Sequence, residues 1–245
     1  AYRAIKLGIA DAILAGGTEA TINTLAVAGF TNCMALTARN DPLSASIPFD
    51  RRRDGFVMGE GAGIMVLEEY GHAKARGARI LGEITGYANL CDAYHVTAPQ
   101  PEALPAARAI SMAMEEAGIT QDHAGDLYIN AHGTSTPLND KTETLAIKRA
   151  FGDAAYKAAI SSTKSMTGHM LGAAGGVEAI AAAMALRDGV LPPTIGYMEP
   201  DPECDLDYVP NQARQAQKGY ALSLSLGFGG HNAVLALKRF EEAGR

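Results

Sequence analysis

From Leu171 to Leu186 the chain reads LGAAGGVEAIAAAMAL, a helix-forming stretch whose only charge is Glu178. A helix that is apolar nearly all round belongs inside a protein, so the fold has to be built around this segment. Glu178 adds a second demand, because a carboxylate in mid-helix is costly there unless a partner meets it. Lys164, just upstream in a glycine-rich turn, is the obvious cation.

The surrounding elements alternate. Tyr2, Ile5, Ile9, Ala12 and Ile13 recur at helical spacing and run into an apolar strand, Ala12 to Gly17. The chain opens inside this pattern with no initiator Met, so it is expected to be a piece of a longer protein. Residues 22–36 form an amphipathic stretch, and residues 37–55 are rich in turn chemistry. Ile64 to Glu68 reads as a buried strand, and a helix around Ala73 ends at Gly77. A strand over Ile80 to Leu90, a helix over Leu104 to Ala117 stopped by Gly118, and a strand over Leu127 to Ala131 follow. Asp140 is the expected N-terminal cap of a helix over Lys141 to Phe151. After a strand at Ala159 to Ser162 and the apolar helix, residues 189–218 are irregular and carry five prolines. Two last strands, Tyr220 to Leu226 and Asn232 to Phe240, are joined by Gly227-Phe228-Gly229-Gly230. The pattern predicts an α/β fold with a mainly parallel sheet covered on both faces, and antiparallel pairing at its end.

Composition excludes several classes. The net charge of −6 argues against a nucleic-acid partner, which favours basic patches. Arg51-Arg52-Arg53 lies between Asp50 and Asp54 and reads as a solvated or internally paired turn. Cys33, Cys91 and Cys204 form no CxxC pair, which fits free thiols in a reducing compartment. No apolar run approaches the ~18 residues that span a bilayer. The opening residues, with Arg3, Lys6 and Asp11, do not resemble a signal peptide. The expectation is a soluble cytoplasmic protein with no membrane contact and no metal: His72, His95, His123 and His231 show no ligand spacing.

Three polar clusters each follow an apolar strand, where ligands of open α/β sheets bind. Asn130-Ala131-His132-Gly133-Thr134-Ser135-Thr136 is the first; its bland reading is a histidine hydrogen-bonded in a turn. Ser162-Thr163-Lys164-Ser165-Met166-Thr167-Gly168-His169 is the second. A histidine beside a helix N-terminus is favoured as the neutral imidazole, which can donate to a developing oxyanion. Gly227-Phe228-Gly229-Gly230 is the third, either a glycine hairpin or a ligand-facing loop with Phe228 as a gate. Asp140 and Glu143 share one helix face. Ser161-x-x-Lys164 matches a Ser/Lys hydrolase signature, yet it ends a strand where that motif opens a helix. Gly59-x-Gly61-x-Gly63 precedes its strand and lacks the phosphate-loop lysine.

Taken together, Asn130–Pro137 (NAHGTSTP), Ser161–Ala173 (SSTKSMTGHMLGA) and Leu226–Asn232 (LGFGGHN) resemble the signatures of β-ketoacyl-acyl carrier protein synthases, most of all the type II enzymes of bacterial fatty-acid synthesis. Ala15–Ala20 (AGGTEA), Phe49–Gly63 and Asp92–Thr97 (DAYHVT) extend the resemblance over essentially the whole chain. It implies a thiolase-like fold of five layers, α/β/α/β/α. Residues 1–78 would close its N-terminal half, and residues 79–245 would be the C-terminal half. A homodimer is implied too. His132 and His169 would stabilise the enolate formed as a malonyl thioester loses carbon dioxide. Lys164 would be the third catalytic residue, held by Asp140, Glu143 and Glu178. Phe228 and Gly229 would form the gate and oxyanion loop. Thr134, Thr136 and Thr97 would line the substrate channel. No cofactor is implied beyond the phosphopantetheine of the acyl carrier protein that brings malonyl and acyl thioesters. Arg51 to Arg53 are candidates for docking that carrier.

One departure stands out. The family's nucleophilic cysteine sits on a strand-to-helix turn ahead of a helix like the one at Ala1, and none of the three cysteines here has that context. The resemblance therefore implies the enolate-stabilising part of a condensing site. Two alternatives are a chain-length-factor or malonyl-decarboxylase subunit of a polyketide synthase, and a thiolase-type enzyme using coenzyme A. Retention of both histidines with Lys164 argues against a chain-length factor, and the His/Lys/His order against a thiolase-type enzyme.

Overall fold

A computed structural model describes residues 1–241. In chain order its elements are α1 (Tyr2–Lys6), β1 (Ala12–Glu19), α2 (Thr24–Asn32), β2 (Gly61–Glu68), α3 (Tyr70–Ala75), β3 (Glu83–Cys91) and α4 (Leu104–Ala117). There follow β4 (Leu127–Asn130), α5 (Pro137–Phe151), β5 (Ala159–Ser161), α6 (Lys164–Thr167) and α7 (Leu171–Asp188). The chain closes with β6 (Val190–Leu191), β7 (Arg214–Gln215), β8 (Tyr220–Gly227) and β9 (His231–Lys238).

Local chemistry explains most boundaries. Helix α4 stops where Gly118 takes a left-handed φ of 68°, a conformation that costs glycine nothing. Helix α1 ends at Lys6, ahead of Gly8 at φ 69°, so the helical spacing of Ile9 and Ile13 is not used. Helix α5 begins at Pro137, a residue preset for a first turn, and not at Lys141. Asp140 is therefore no cap; it sits buried inside that first turn.

Five strands form one sheet in the order β3-β9-β8-β4-β5. The ladders β4–β5 and β4–β8 are parallel, while β8–β9 and β3–β9 are antiparallel. The sheet is thus mixed, where the sequence predicted a mainly parallel one: β3 joins β9 antiparallel, and only β4, β5 and β8 run together. Helix α4 packs on one face and against α5. On the other face lies α7, between this sheet and the antiparallel pair β1–β2. The result is four stacked layers: β1/β2, α7, the five-stranded sheet, and α4 with α5.

The predicted all-round burial of α7 is met only in part by this sandwich: Ala173, Ala174, Glu178, Ala179, Ala182, Ala185 and Leu186 are buried, while Val177, Ile180 and Met184 are half-buried. Its approach to β1/β2 needs glycine on both sides. A Cβ on Gly17 would lie 1.9 Å from the Gly172 carbonyl oxygen, and one on Gly63 2.6 Å from the Val177 nitrogen. Strand β2 is buried on that face alone. Ile64 and Val66 point the other way and are 52% and 61% exposed, which corrects the expectation of a buried strand. Among the described residues no helix is long and apolar enough to cross a membrane.

Candidate active site

Strands β4 and β5 are adjacent and parallel, with Asn130 opposite Ser161, so the loops that leave their carboxyl ends meet. His132 lies two residues past β4, and Lys164 three past β5. The loops are tied where the Ser162 hydroxyl donates to the Gly133 carbonyl at 2.6 Å. Only glycine fits there: Gly133 has φ 35°, and a Cβ would meet the Ser162 Cβ at 2.5 Å. His169 lies between α6 and α7. Its backbone N–H donates to the Val57 carbonyl at 2.7 Å, and its carbonyl accepts from Gly59 N–H at 2.9 Å.

This frame brings the two imidazoles together, with ring centroids 5.2 Å apart and planes at 84°. The tautomer of each follows from its neighbours. His169 Nδ1 accepts from the Leu171 backbone N–H at 3.1 Å, so its proton is on Nε2. His132 Nδ1 is 3.4 Å from Lys164 Nζ, which only donates, so its proton is also on Nε2. Burial holds the His132 imidazole well below its ordinary pKa, with the positive charge of Lys164 adding to the effect. The same causes in the same order bring His169 down to about 3. Both rings are neutral donors at physiological pH.

Lys164 is 1% exposed and pairs with Glu178, the one charge of the apolar helix. Burial pushes the Glu178 carboxyl up, and the adjacent ammonium draws it back down. The other two acids predicted to hold Lys164 do something else. Glu143 accepts from the backbone N–H groups of His132 at 2.6 Å and Gly133 at 2.8 Å. Burial, with Asp140 nearby, raises it to about 7. Asp140 accepts from Thr134 N–H at 3.1 Å and Phe49 N–H at 2.8 Å. The physical reason is position: α5 starts beneath the His132 loop, so its acids meet that loop's backbone, and only Glu178 on α7 meets Lys164.

A cavity of ≈ 690 Å³ opens over the histidines and is lined also by Thr134, Thr136, Thr97 and Phe228. The Thr134 and Thr136 hydroxyls are 2.9 Å apart. Phe228 is 44% exposed at the rim. Gly229 does not line the cavity, and its N–H is spent on the Val96 carbonyl at 2.6 Å, so in this conformation it is no oxyanion donor. The loop around Thr97 and the glycine loop are bolted together. Asp92 accepts from Asn232 Nδ2 at 2.7 Å, and its N–H donates to the Gly230 carbonyl at 2.8 Å.

Other residues were invisible to motif reading. Phe56 meets the His169 ring edge-on at 5.2 Å, and Phe30 stands between Phe56 and Phe228 at 5.4 and 6.4 Å, an aromatic wall from histidine to rim. Phe30 lies in α2 and Phe56 follows a turn-rich stretch, so no local signal says that these two rings converge. The arginine run is internally paired: Arg51 with Glu199, Arg52 with Asp50, and buried Arg53 with Asp201. Arg53 is too buried to reach a carrier, while the paired Arg51 and Arg52 stay partly exposed. Cys204 is buried in the core, which pushes its thiol up to about 12. Cys33 and Cys91 are exposed, and Cys33 lies on the cavity wall. Ser161 bonds Tyr128 at 2.8 Å while Lys164 pairs with Glu178, so the apparent Ser/Lys motif is no dyad. Among the described residues no group of three or more His, Cys, Asp or Glu is arranged to hold a metal ion.

Residues 1–73 match the family described as beta-ketoacyl synthase, N-terminal domain, and residues 81–198 match beta-ketoacyl synthase, C-terminal domain. A 3-oxoacyl-[acyl-carrier-protein] synthase 2 from Synechocystis sp. (strain ATCC 27184 / PCC 6803 / Kazusa) is 57% identical over 242 residues, which is 98% of this chain and 58% of the relative. The protein of that name from Staphylococcus aureus (strain COL) is 54% identical over 241 residues, with 98% and 58% covered. The chain thus spans a little over half the length of these relatives. Among solved structures, a type II polyketide ketosynthase in complex with its acyl carrier protein superposes with a TM-score of 0.94 at 42% identity, over 98% of this chain and 59% of that one. A beta-ketoacyl synthase from Burkholderia phymatum STM815 gives 0.91 at 41%, over 98% and 58%.

Proposed function

The chain belongs to the beta-ketoacyl synthase family, with a thiolase-like fold, and from this we propose that it carries the His/Lys/His part of a 3-oxoacyl-[acyl-carrier-protein] synthase of fatty-acid biosynthesis. The observation that carries the reading is the pair of neutral imidazoles, each with Nδ1 occupied and Nε2–H free to donate over one cavity.

On this reading a malonyl thioester, carried on the phosphopantetheine of an acyl carrier protein, enters past Phe228. Its thioester carbonyl accepts from His132 and His169. The bond between the malonyl α-carbon and its carboxylate breaks, carbon dioxide leaves, and the electron pair moves onto the carbonyl oxygen as an enolate. Two fixed donors already aimed into the cavity favour that charge without reorganising. The α-carbon then attacks an acyl thioester and displaces its thiolate. Cys33, Cys91 and Cys204 are not assigned as that thiolate; Cys204 is buried with a raised thiol, and none follows a strand on a tight turn before a helix. Lys164 fixes the tautomer of His132, and Thr134 and Thr136 meet the thioester arm. The reading extends to a cytoplasmic homodimer that uses acyl carrier protein; the polyketide ketosynthase it resembles was solved in complex with its own carrier.

The test is carbon dioxide release and condensation by the full-length enzyme supplied with malonyl-acyl carrier protein. H132A and H169A are each expected to slow decarboxylation by about 10²–10³-fold. Decarboxylation that is indifferent to both substitutions rejects the reading, as does a full-length protein that does not condense malonyl-acyl carrier protein where a known synthase does.

A further inference from the structure

We propose that Arg53 is a positioning residue whose buried guanidinium, set against Asp140, fixes the loop that carries His132 and Thr134 without touching substrate. The proposal rests on the reading of that loop as the malonyl-binding one. Arg53 is 8% exposed. One terminal nitrogen donates to the Asp50 carbonyl at 3.0 Å and to Asp201 at 2.5 Å, and the other to the Pro137 carbonyl at 3.2 Å. Its Nε is buried with no hydrogen-bond partner and lies 3.7 Å from Asp140 Oδ2. The cation is thus clamped by three segments, with its remaining edge turned to Asp140.

Asp140 in turn holds the site. Its two oxygens accept from Thr134 N–H and Phe49 N–H, and Glu143, three residues on, accepts from His132 and Gly133 N–H. Three consecutive backbone donors of the loop therefore hang on two fully buried, neighbouring carboxylates. Like charges so placed need a cation. Lys164 is committed to Glu178, which leaves Arg53 for Asp140. Burial pushes the Asp140 carboxyl up, and Arg53 is the largest influence drawing it back down. Without the guanidinium, Asp140 would take a proton on one oxygen and lose an acceptor from Thr134 or Phe49, and the loop would loosen.

The rival explanation is that Arg53 only staples the turn at Asp50 to Asp201. Four variants of the full-length protein separate the two: R53M, D140N, R53M with D140N, and D201N. R53M is expected to lower kcat for condensation about 10- to 100-fold while KM for malonyl-acyl carrier protein moves less than about threefold, as for a displaced catalytic group. Amide exchange in the peptide over residues 130–136 should quicken about tenfold, with β8 and β9 unchanged. D140N alone should lower kcat and quicken the exchange much as R53M does, and the double variant should be little worse than either, because each change leaves the side chain at position 140 short of one acceptor, a coupling that independent sites would not show. D201N should change kcat less than about threefold. R53M with unchanged exchange and kcat overturns the proposal; so do R53M and D140N losses that add in full, or a D201N that reproduces the full loss. Should R53M not fold, R53Q with and without D140N gives the same comparison. If the unsubstituted protein does not condense, the reading of the site fails, and the exchange arm alone still decides the role of Arg53.

Discussion

At the scale of residues, the Lys164–Glu178 pair was legible because a lone carboxylate in an apolar helix demands a cation, and both groups are buried as that argument requires. K164M should cost about 3–5 kcal/mol in urea unfolding, since it strands a buried carboxylate, and K164M with E178M should recover most of it. A loss under about 1 kcal/mol would mean that the pair is not ionic. His169 makes a second prediction. Its folded pKa, about 3, lies below the ordinary 6.5, so the native state binds fewer protons than the unfolded one between those values. Stability from this group is present above pH 6.5 and is lost as pH falls towards 3. Thermal melts of the unsubstituted protein minus those of H169N should therefore show a difference that shrinks on acidification through that window. A pH-independent difference would remove the argument. Glu143, raised to about 7, acts in the opposite sense: its contribution is present below the ordinary value of 4.5 and is lost as pH rises through 7.

At the scale of elements, glycine decides how near α7 can come to β1 and β2. G17A puts a Cβ 1.9 Å from a backbone oxygen that cannot step aside, whereas a Cβ on Gly29 in α2 meets nothing within 4 Å. G17A should cost about 1–3 kcal/mol or more, as overpacking does, while G29A should be neutral or stabilising by up to about 1 kcal/mol. Melting curves of the two variants test this, and equal effects would refute it. The helices and the three site loops were readable because periodicity, Gly118 and the strand-then-polar pattern are local signals. The course of β3 was not, since pairing direction depends on a partner, β9, far along the chain. The duties of Asp140 and Glu143 were misread for a related reason. Shared helix face says that two acids point together, and only the packing of α5 under the His132 loop says at what. Arg53 looked like part of a surface run because its burial comes from two segments distant in sequence, at Pro137 and Asp201.

At the scale of the whole molecule, the layers end on an open apolar face. Strand β1 has Leu14 at 74% exposure, beside Ile64 and Val66 on β2, and all three lie on the side away from α7. The opposite side of the same strand pair is pressed against that helix with glycine-to-backbone spacing, so the asymmetry is a matter of cover and not of sequence polarity. Apolar residues on both faces of a strand are the mark of a strand meant to be covered twice. The separate 245-residue chain should therefore bind a hydrophobic dye and self-associate, because an exposed two-stranded sheet with apolar side chains is a template for further pairing. Light scattering of the chain against a variant with L14K, I64K and V66K gives the comparison: the variant should stay monomeric with an unchanged far-ultraviolet dichroism spectrum. Were the unsubstituted chain monomeric and dye-silent as well, the face would not be sticky, and cover would have to be sought in the side chains of α1 and α3 that flank β2.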